Sequence, residues 1–209
     1  MKEILLTIVI GYLLGNMQAS YLLGKLLYKI DIRTLGHGNA GASNALSSVG
    51  FKFGLYVAIV DVLKGVVAIV LTRVLFSASL SEHTVLLYIS TASVMLGHIF
   101  PFYMNFKGGK GTATLLGALL GIQPLLGVGA IVLLILLTLL IDYVALSAVI
   151  LMFLLVVLTL IMSFGVLETL ISICVFALSV YLHTPNFKRI INKTEGRLSL
   201  TLKSKRKER

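Results

Sequence analysis

Charge is what this chain has least of. Of its 209 residues, 12% are Asp, Glu, Lys or Arg, about half the roughly 25% of an ordinary soluble domain. So little polar sequence cannot clothe a water-soluble fold of this length. Acidic residues are the scarcer sign, 8 against 18 basic, which leaves a net charge of +10. Tryptophan is absent, proline occurs three times and cysteine once. One cysteine excludes an intrachain disulfide and any cysteine-rich metal cluster. Cys174 lies in an apolar run and reads as a small buried hydrophobe. No His, Cys, Asp or Glu spacing resembles a metal-ligand set, and no Ser-His-Asp relation is visible.

What the chain has instead is apolar length. Hydrophobic residues make up 58% of it, and the mean hydropathy is +1.02. Runs such as 127–141 and 151–162 are apolar on every helical face, unlike a water-facing helix with its polar stripe. About 20 apolar residues cross a bilayer core. The pattern predicts an all-α, polytopic transmembrane helical bundle of about seven helices, one of them short. Spans fall at 4–27, 53–76 and 84–102, a short helix at 112–121, and further spans at 123–141, 143–162 and 165–182. If the short helix is re-entrant, the count is six. The first segment is too long for a signal peptide's apolar core, so it is expected to stay as a membrane helix. Within it, Gly11 and Gly15 have the G-x-x-x-G spacing that admits a close neighbour, while Asn16, Gln18 and Ser20 should face protein.

The positive charge is distributed unevenly. Lys25, Lys29, Arg33 and Lys52 flank the first loop, and Lys107 and Lys110 occupy the third. The tail carries Lys188, Arg189, Lys193, Arg197, Lys203, Lys205, Arg206, Lys207 and Arg209, whereas the 77–83 loop has no Lys or Arg. A nucleic-acid surface would gather these residues on one folded face. Clustering at span ends follows the positive-inside rule instead. It puts these loops and the C-terminus in the cytoplasm and the N-terminus outside. The chain reads as a single transmembrane domain over 1–209, with a basic tail from about 184 suited to anionic lipid. No internal repeat of the transporter kind appears.

Three polar constellations interrupt the apolar sequence. Residues 30–50, IDIRTLGHGNAGASNALSSVG, combine glycines with Asn39, Ser43 and Asn44. Such a loop either cradles phosphate on backbone amides or merely connects two spans. Residues 105–114, NFKGGKGTAT, place Lys107 and Lys110 around Gly108 and Gly109 just before a helix. Unshielded amides, two cations and a helix N-terminus favour an anion. A nucleotide P-loop is excluded, because Met104 and Gly111 stand where that motif needs Gly and Ser or Thr. Asp61 and Lys64, three apart within a span, share a helix face. They form either an internal ion pair or the lining of a polar site.

The blocks GHGNAGASNA (36–45), DVLKG (61–65), GHIFPFYMNFKGGKGTAT (97–114) and HTPNFKRIINKTE (183–195) resemble the bacterial acyl-phosphate:glycerol-3-phosphate acyltransferase family, PlsY. The resemblance covers nearly the whole chain. It implies a seven-helix enzyme of the bacterial cell membrane with its active site on the cytoplasmic side. Such an enzyme moves a fatty acyl group from acyl phosphate to the 1-hydroxyl of glycerol 3-phosphate. Lysophosphatidic acid and phosphate are the products, and neither a cofactor nor a metal takes part. The implied partners are these two substrates and membrane lipid, with no nucleic acid. A substrate phosphate, rather than a protein side chain, is implied to assist deprotonation of the hydroxyl. Carried over residue by residue, the resemblance offers Asn39, Ser43, Asn44, Lys64, His98, Lys107, Gly108, Gly109 and Lys110 for substrate binding. It offers His183 and Asn186 for the reacting centre, with Arg189 and Glu195 also matching. The chain departs from the pattern at His37, Ser43, Ser47, Asp142, Ala145, Ala148 and Lys193. Ser47 and Asp142 stand where the family has Arg, which removes bidentate phosphate donors. These departures define an alternative: a divergent paralogue with a different acceptor, or a non-catalytic binder of phosphorylated lipid.

Overall fold

The computed structural model describes residues 1–77 and 83–199. Most of the 77–83 loop, and Lys203, Lys205, Arg206, Lys207 and Arg209 of the tail, lie outside the described residues. Among the described residues the chain forms nine α-helices and no strand. They are α1 (Lys2–Gly15), α2 (Ala19–Tyr28), α3 (Ala42–Ser48), α4 (Phe51–Phe76), α5 (Thr84–Ile99), α6 (Thr112–Ile122), α7 (Pro124–Ile141), α8 (Val144–Ile161) and α9 (Val166–Ile191). In hydrocarbon every backbone amide needs a partner within the protein, so apolar runs of this length become helices. Six helical segments, α1 with α2 counted as one, are long and apolar enough to cross a membrane. The 11-residue α6 extends about 16 Å at 1.5 Å per residue, too short to cross alone.

The helix boundaries have local causes. Pro124 opens α7 at a position where its missing N–H costs nothing. Asp142 and Ser163 end helices with φ of 68° and 52°. Two boundaries differ from the sequence expectation. The first span, read as one helix, is broken at residues 16–18 between α1 and α2, because polar side chains there take over the backbone's hydrogen bonds. The last helix does not stop at 182 but runs through Pro185 to Ile191. The first part of the expected basic tail is therefore helical. Its end is held by Glu195, which accepts from Asn186 Nδ2 and Arg189 Nε, both at 2.6 Å.

The chain divides into two compact units, Met1–Val128 and Gly129–Arg209. In the first, α1 packs on α5 and α4 packs on α6, with α4 also meeting α1 and α5. Glycine permits both close crossings. A Cβ on Gly97 of α5 would overlap the Tyr12 carbonyl oxygen and lie 2.9 Å from Gly15 Cα. A Cβ on Gly65 of α4 would lie 2.7 Å from Ala118 N of α6. The expected G-x-x-x-G contact is thus present, with α5 as its partner. Thr7, Asn16, Gln18 and Ser20 are buried, as polar groups within a span should be.

In the second unit α8 packs on α9. Glu168, Ser172, Val175, Ser179, His183 and Asn186 form the buried face of α9, a stripe at spacings of three and four. Cys174 is exposed, contrary to the buried position expected. It lies off that stripe, where a weakly polar thiol suits lipid. Asp142 does not hold an anion-binding group. Its carboxylate accepts from Ser199 N at 2.8 Å and Ser199 Oγ at 2.7 Å, and its carbonyl accepts from Leu198 N at 3.1 Å. Arg197 Nε donates to the Tyr143 hydroxyl at 3.1 Å.

Gly97→Ala is expected to destabilise the protein by about 1–3 kcal/mol through overpacking. Gly129→Ala, where an added Cβ meets nothing within 4 Å, should leave stability unchanged or slightly raised. Thermal unfolding in detergent followed by circular dichroism compares them, and equal midpoints would contradict the packing.

Candidate active site

The break in the first span opens a polar centre. Between α1 and α2 the carbonyls of Gly15, Asn16 and Met17 lack the usual helical donors, and three side chains supply replacements. Lys64 Nζ from α4 donates to Gly15 O at 3.2 Å and Met17 O at 3.0 Å. The Tyr103 hydroxyl donates to Asn16 O at 2.7 Å. Gln18 Nε2 donates to Gly15 O at 3.4 Å and to His98 O at 2.8 Å. Asn16 Oδ1 in turn accepts from Phe102 N at 3.0 Å. Asp61 Oδ1 and His98 Nδ1 each lie 2.7 Å from Lys64 Nζ and 3.3 Å from one another. Of the two readings of Asp61 and Lys64, the structure supports the internal ion pair.

Lys64 and His98 were expected to bind substrate. Both are buried, 4% and 3% exposed, and both are engaged with protein groups. A lysine ammonium has only hydrogens to offer. His98 Nδ1 therefore faces a donor, the Lys64 ammonium at 2.7 Å, and an acceptor, Asp61 Oδ1 at 3.3 Å.

The lysine turn sits directly above this centre. Gly108 N donates to Ile99 O at 3.0 Å and Gly109 N to His98 O at 3.1 Å. The two glycine amides expected to be bare thus satisfy the end of α5, whose last carbonyls have no intrahelical donor. Gly109 has no room for a side chain: a Cβ there would collide with His98 Nε2. Lys107 is exposed and Lys110 half-buried, and α6 begins at Thr112 behind Gly111, which has φ of 84°. The cations and the helix start remain as anion-attracting elements; the glycine amides do not.

The 30–50 loop is organised from within. Asn44 is 1% exposed. Its Nδ2 faces Ile32 O and Leu35 O at 3.1 Å and Asn39 O at 2.8 Å, and its Oδ1 accepts from His37 N at 2.7 Å. Asn44 therefore shapes the loop. Asn39 Oδ1 accepts from Gly41 N at 3.0 Å, a turn stabilised by its own side chain. Ser43 is exposed. Two bonds join this loop to the lysine turn: Ala40 N to Gly108 O at 3.1 Å and Arg33 Nη1 to Met104 O at 2.8 Å. Asp31 clamps Arg33 with contacts at 3.0 and 2.7 Å. The Arg33 guanidinium holds the Asp31 carboxyl below the usual aspartate value of 3.8, and Asp31 raises Arg33.

His183 and Asn186 lie in the second unit, buried at 3% and 5% exposure. His183 Nδ1 is 2.8 Å from Ser179 O. A carbonyl only accepts, so this nitrogen carries a proton. Asn186 is oriented by Glu195 at 2.6 Å. Among the described residues no group of His, Cys, Asp and Glu has a metal-holding arrangement.

A family model described as glycerol-3-phosphate acyltransferase matches residues 5–193. The chain belongs to the glycerol-3-phosphate acyltransferase family. Glycerol-3-phosphate acyltransferase 1 of Oceanobacillus iheyensis is 38% identical to it over 197 residues, covering 91% of this chain and 93% of the relative. The crystal structure of PlsY (YgiH), an integral membrane glycerol 3-phosphate acyltransferase, in its glycerol 3-phosphate form matches with a TM-score of 0.83 and 28% identity over 93% of this chain and 95% of that one. The lysophosphatidic acid form of PlsY matches with a TM-score of 0.79 and 27% identity, over 93% and 94%. This family member is a multi-pass integral membrane protein.

Sequence reasoning missed the roles of Asn16, Gln18, Arg33 and Tyr103. The signal for the first two was a polar pair at the middle of an apolar run, which the backbone cannot tolerate in lipid without a local purpose. Arg33 gave no signal beyond its charge, because its partner Met104 O is a backbone atom 71 positions away.

The Asp31–Arg33 clamp makes the loop acid-sensitive. A carboxyl depressed in the folded state contributes stability above its unfolded value and loses it as pH falls through the folded one. Hydrogen exchange over residues 31–37, corrected for intrinsic rates, should show protection that is constant near neutrality and falls below pH 3.8. In Asp31→Asn protection should be lower throughout, without that step. Full wild-type protection at pH 2 would contradict the clamp.

Proposed function

We propose that this protein transfers a fatty acyl group from acyl phosphate to the 1-hydroxyl of glycerol 3-phosphate, forming lysophosphatidic acid and phosphate for phospholipid synthesis. Membership of the glycerol-3-phosphate acyltransferase family supports this, as do the glycerol 3-phosphate and lysophosphatidic acid forms of the similar PlsY structure. The observation that carries it in this chain is the braced turn at 107–110. It presents Lys107 and Lys110 beside the start of α6, tied to the 30–50 loop.

Acyl phosphate is a mixed anhydride, already activated. The hydroxyl oxygen attacks the acyl carbon, the C–O bond to phosphate breaks, and the departing phosphate takes up the proton. A substrate phosphate close to the hydroxyl makes a protein base unnecessary. The protein's task is then to hold two phosphates and an acyl chain in register. Lys107 and Lys110 are the cations for that work, with Asn39 and Ser43 beside them on the linked loop. Gly108 and Gly109 serve by holding the turn, and Asn44 by shaping its neighbour. His183 is the imidazole that the family resemblance offers for the reacting centre. Asn186 is the accompanying polar group, and both assignments rest on the family resemblance. The charge distribution supports a cytoplasmic placement of the lysine turn, the 30–50 loop and the C-terminus.

A second reading, a binder of phosphorylated lipid without turnover, is favoured by Asp142, which fastens the chain at Ser199 where the family pattern has an arginine.

Radiolabelled glycerol 3-phosphate and palmitoyl phosphate, supplied to the purified protein in lipid, should yield lysophosphatidic acid. Lys110→Ala should lower kcat/KM about 10–150-fold, the loss of a charged hydrogen bond of roughly 1.5–3 kcal/mol. No product from folded protein would support the second reading, and unchanged turnover in Lys110→Ala would refute the anion site.

A further inference from the structure

One buried cation has no part in the chemistry above. Lys64 is 4% exposed, and four acceptors surround its three hydrogens: Gly15 O, Met17 O, Asp61 Oδ1 and His98 Nδ1. Discontinuous membrane helices commonly use such open carbonyls to hold a cation. Here the cation is a side chain from the neighbouring span.

We infer that Lys64, paired with Asp61, is a positioning residue: through His98 it fastens the break in the first span to the Gly108–Lys110 turn and so sets where Lys107 and Lys110 meet an anionic substrate. Each link is a contact. The ammonium grips the carbonyls on either side of the break. His98, held at Nδ1 by the ammonium and by its Asp61 partner at 3.3 Å, lies so close under Gly109 that a Cβ there would collide with Nε2. The His98 carbonyl accepts from Gly109 N at 3.1 Å and Gln18 Nε2 at 2.8 Å. One imidazole thus supports the turn with both its ring and its backbone. Without the ammonium, two carbonyls and a carboxylate lose their cation, and the ring under the turn keeps only the longer Asp61 contact at Nδ1. The consequence for substrate rests on the acyl-transfer reading; the consequence for the turn does not.

The test has two arms on the full chain in lipid nanodiscs. A nitroxide at the exposed position 107, as Lys107→Cys in a Cys174→Ala background, reports the order of the turn. Lys64→Met should change an ordered spectrum to a mobile one. Thr72→Ala, which disturbs a buried hydrogen bond of the same helix, should leave it ordered. In the second arm, with Lys107 intact, Lys64→Met and His98→Ala should raise the KM for glycerol 3-phosphate or acyl phosphate at least tenfold with kcat changed less than threefold. His98→Gln, whose amide oxygen accepts from Lys64, should restore KM to within threefold of wild type. An unaltered spectrum in Lys64→Met, or equal mobilisation by Thr72→Ala, would overturn the inference. So would a fall in kcat with KM unchanged. If the wild-type protein makes no product while the spectral arm holds, the acyl-transfer reading fails and the bracing of the turn stands.

Discussion

The first unit depends on an ammonium enclosed by backbone. A lysine at the centre of a membrane helix costs about 2.5–3.5 kcal/mol to insert, and a carbonyl left without a donor in hydrocarbon also costs several kcal/mol. In this chain the two problems answer one another. The opening between α1 and α2 leaves the Gly15 and Met17 carbonyls without helical donors, and Lys64 supplies the hydrogens. Asp61 balances the charge at 2.7 Å. Removing one partner of such a buried pair costs about 3–5 kcal/mol, so the break, the lysine and the aspartate form one unit of structure. The glycine contacts of Gly15 and Gly97 bring α5 close enough for His98 to join it.

From this centre the order passes to the loops. The end of α5 is closed by Gly108 and Gly109, Gly108 accepts from Ala40, and Arg33 reaches Met104. Asn44 then holds the 30–50 loop to itself. The arrangement separates two duties that one glance at the motifs would merge. Asn44, Gly108, Gly109, Lys64 and His98 build the frame; Lys107, Lys110, Asn39 and Ser43 are left nearer the surface, where a phosphate is able to reach them. An acyl phosphate carries its own activation, so a braced frame with a few cations is sufficient machinery for the proposed transfer.

Much of this was legible in the residues. The spans followed from apolar length, and the breaks at Pro124, Asp142 and the Ser163–Gly165 segment followed from turn chemistry. Gly11 and Gly15 announced a close neighbour. The polar motifs fell on the two loops that the structure joins through Ala40–Gly108 and Arg33–Met104. What the sequence concealed was direction: whether a conserved-looking polar group turns toward ligand or toward backbone. The carbonyls that capture Lys64, Asn44 and the two glycine amides carry no signature, since every residue has one. The expected end of the last span at 182 follows the apolar run, whereas the partners that hold the next turns of α9, Glu195 with Asn186 and Arg189, come from further along the chain.

Two histidines state the account in atomic terms. His98 Nδ1 stands between the Lys64 ammonium at 2.7 Å and Asp61 Oδ1 at 3.3 Å; His183 donates from Nδ1 to Ser179 O. Nitrogen-15 NMR of histidine-labelled protein reads these ring nitrogens directly, with each of the four histidines assigned by single substitution. The account predicts a His98 whose Nδ1 signal changes in Lys64→Met, and an Nδ1-protonated His183. A His98 indifferent to the loss of Lys64 would contradict it.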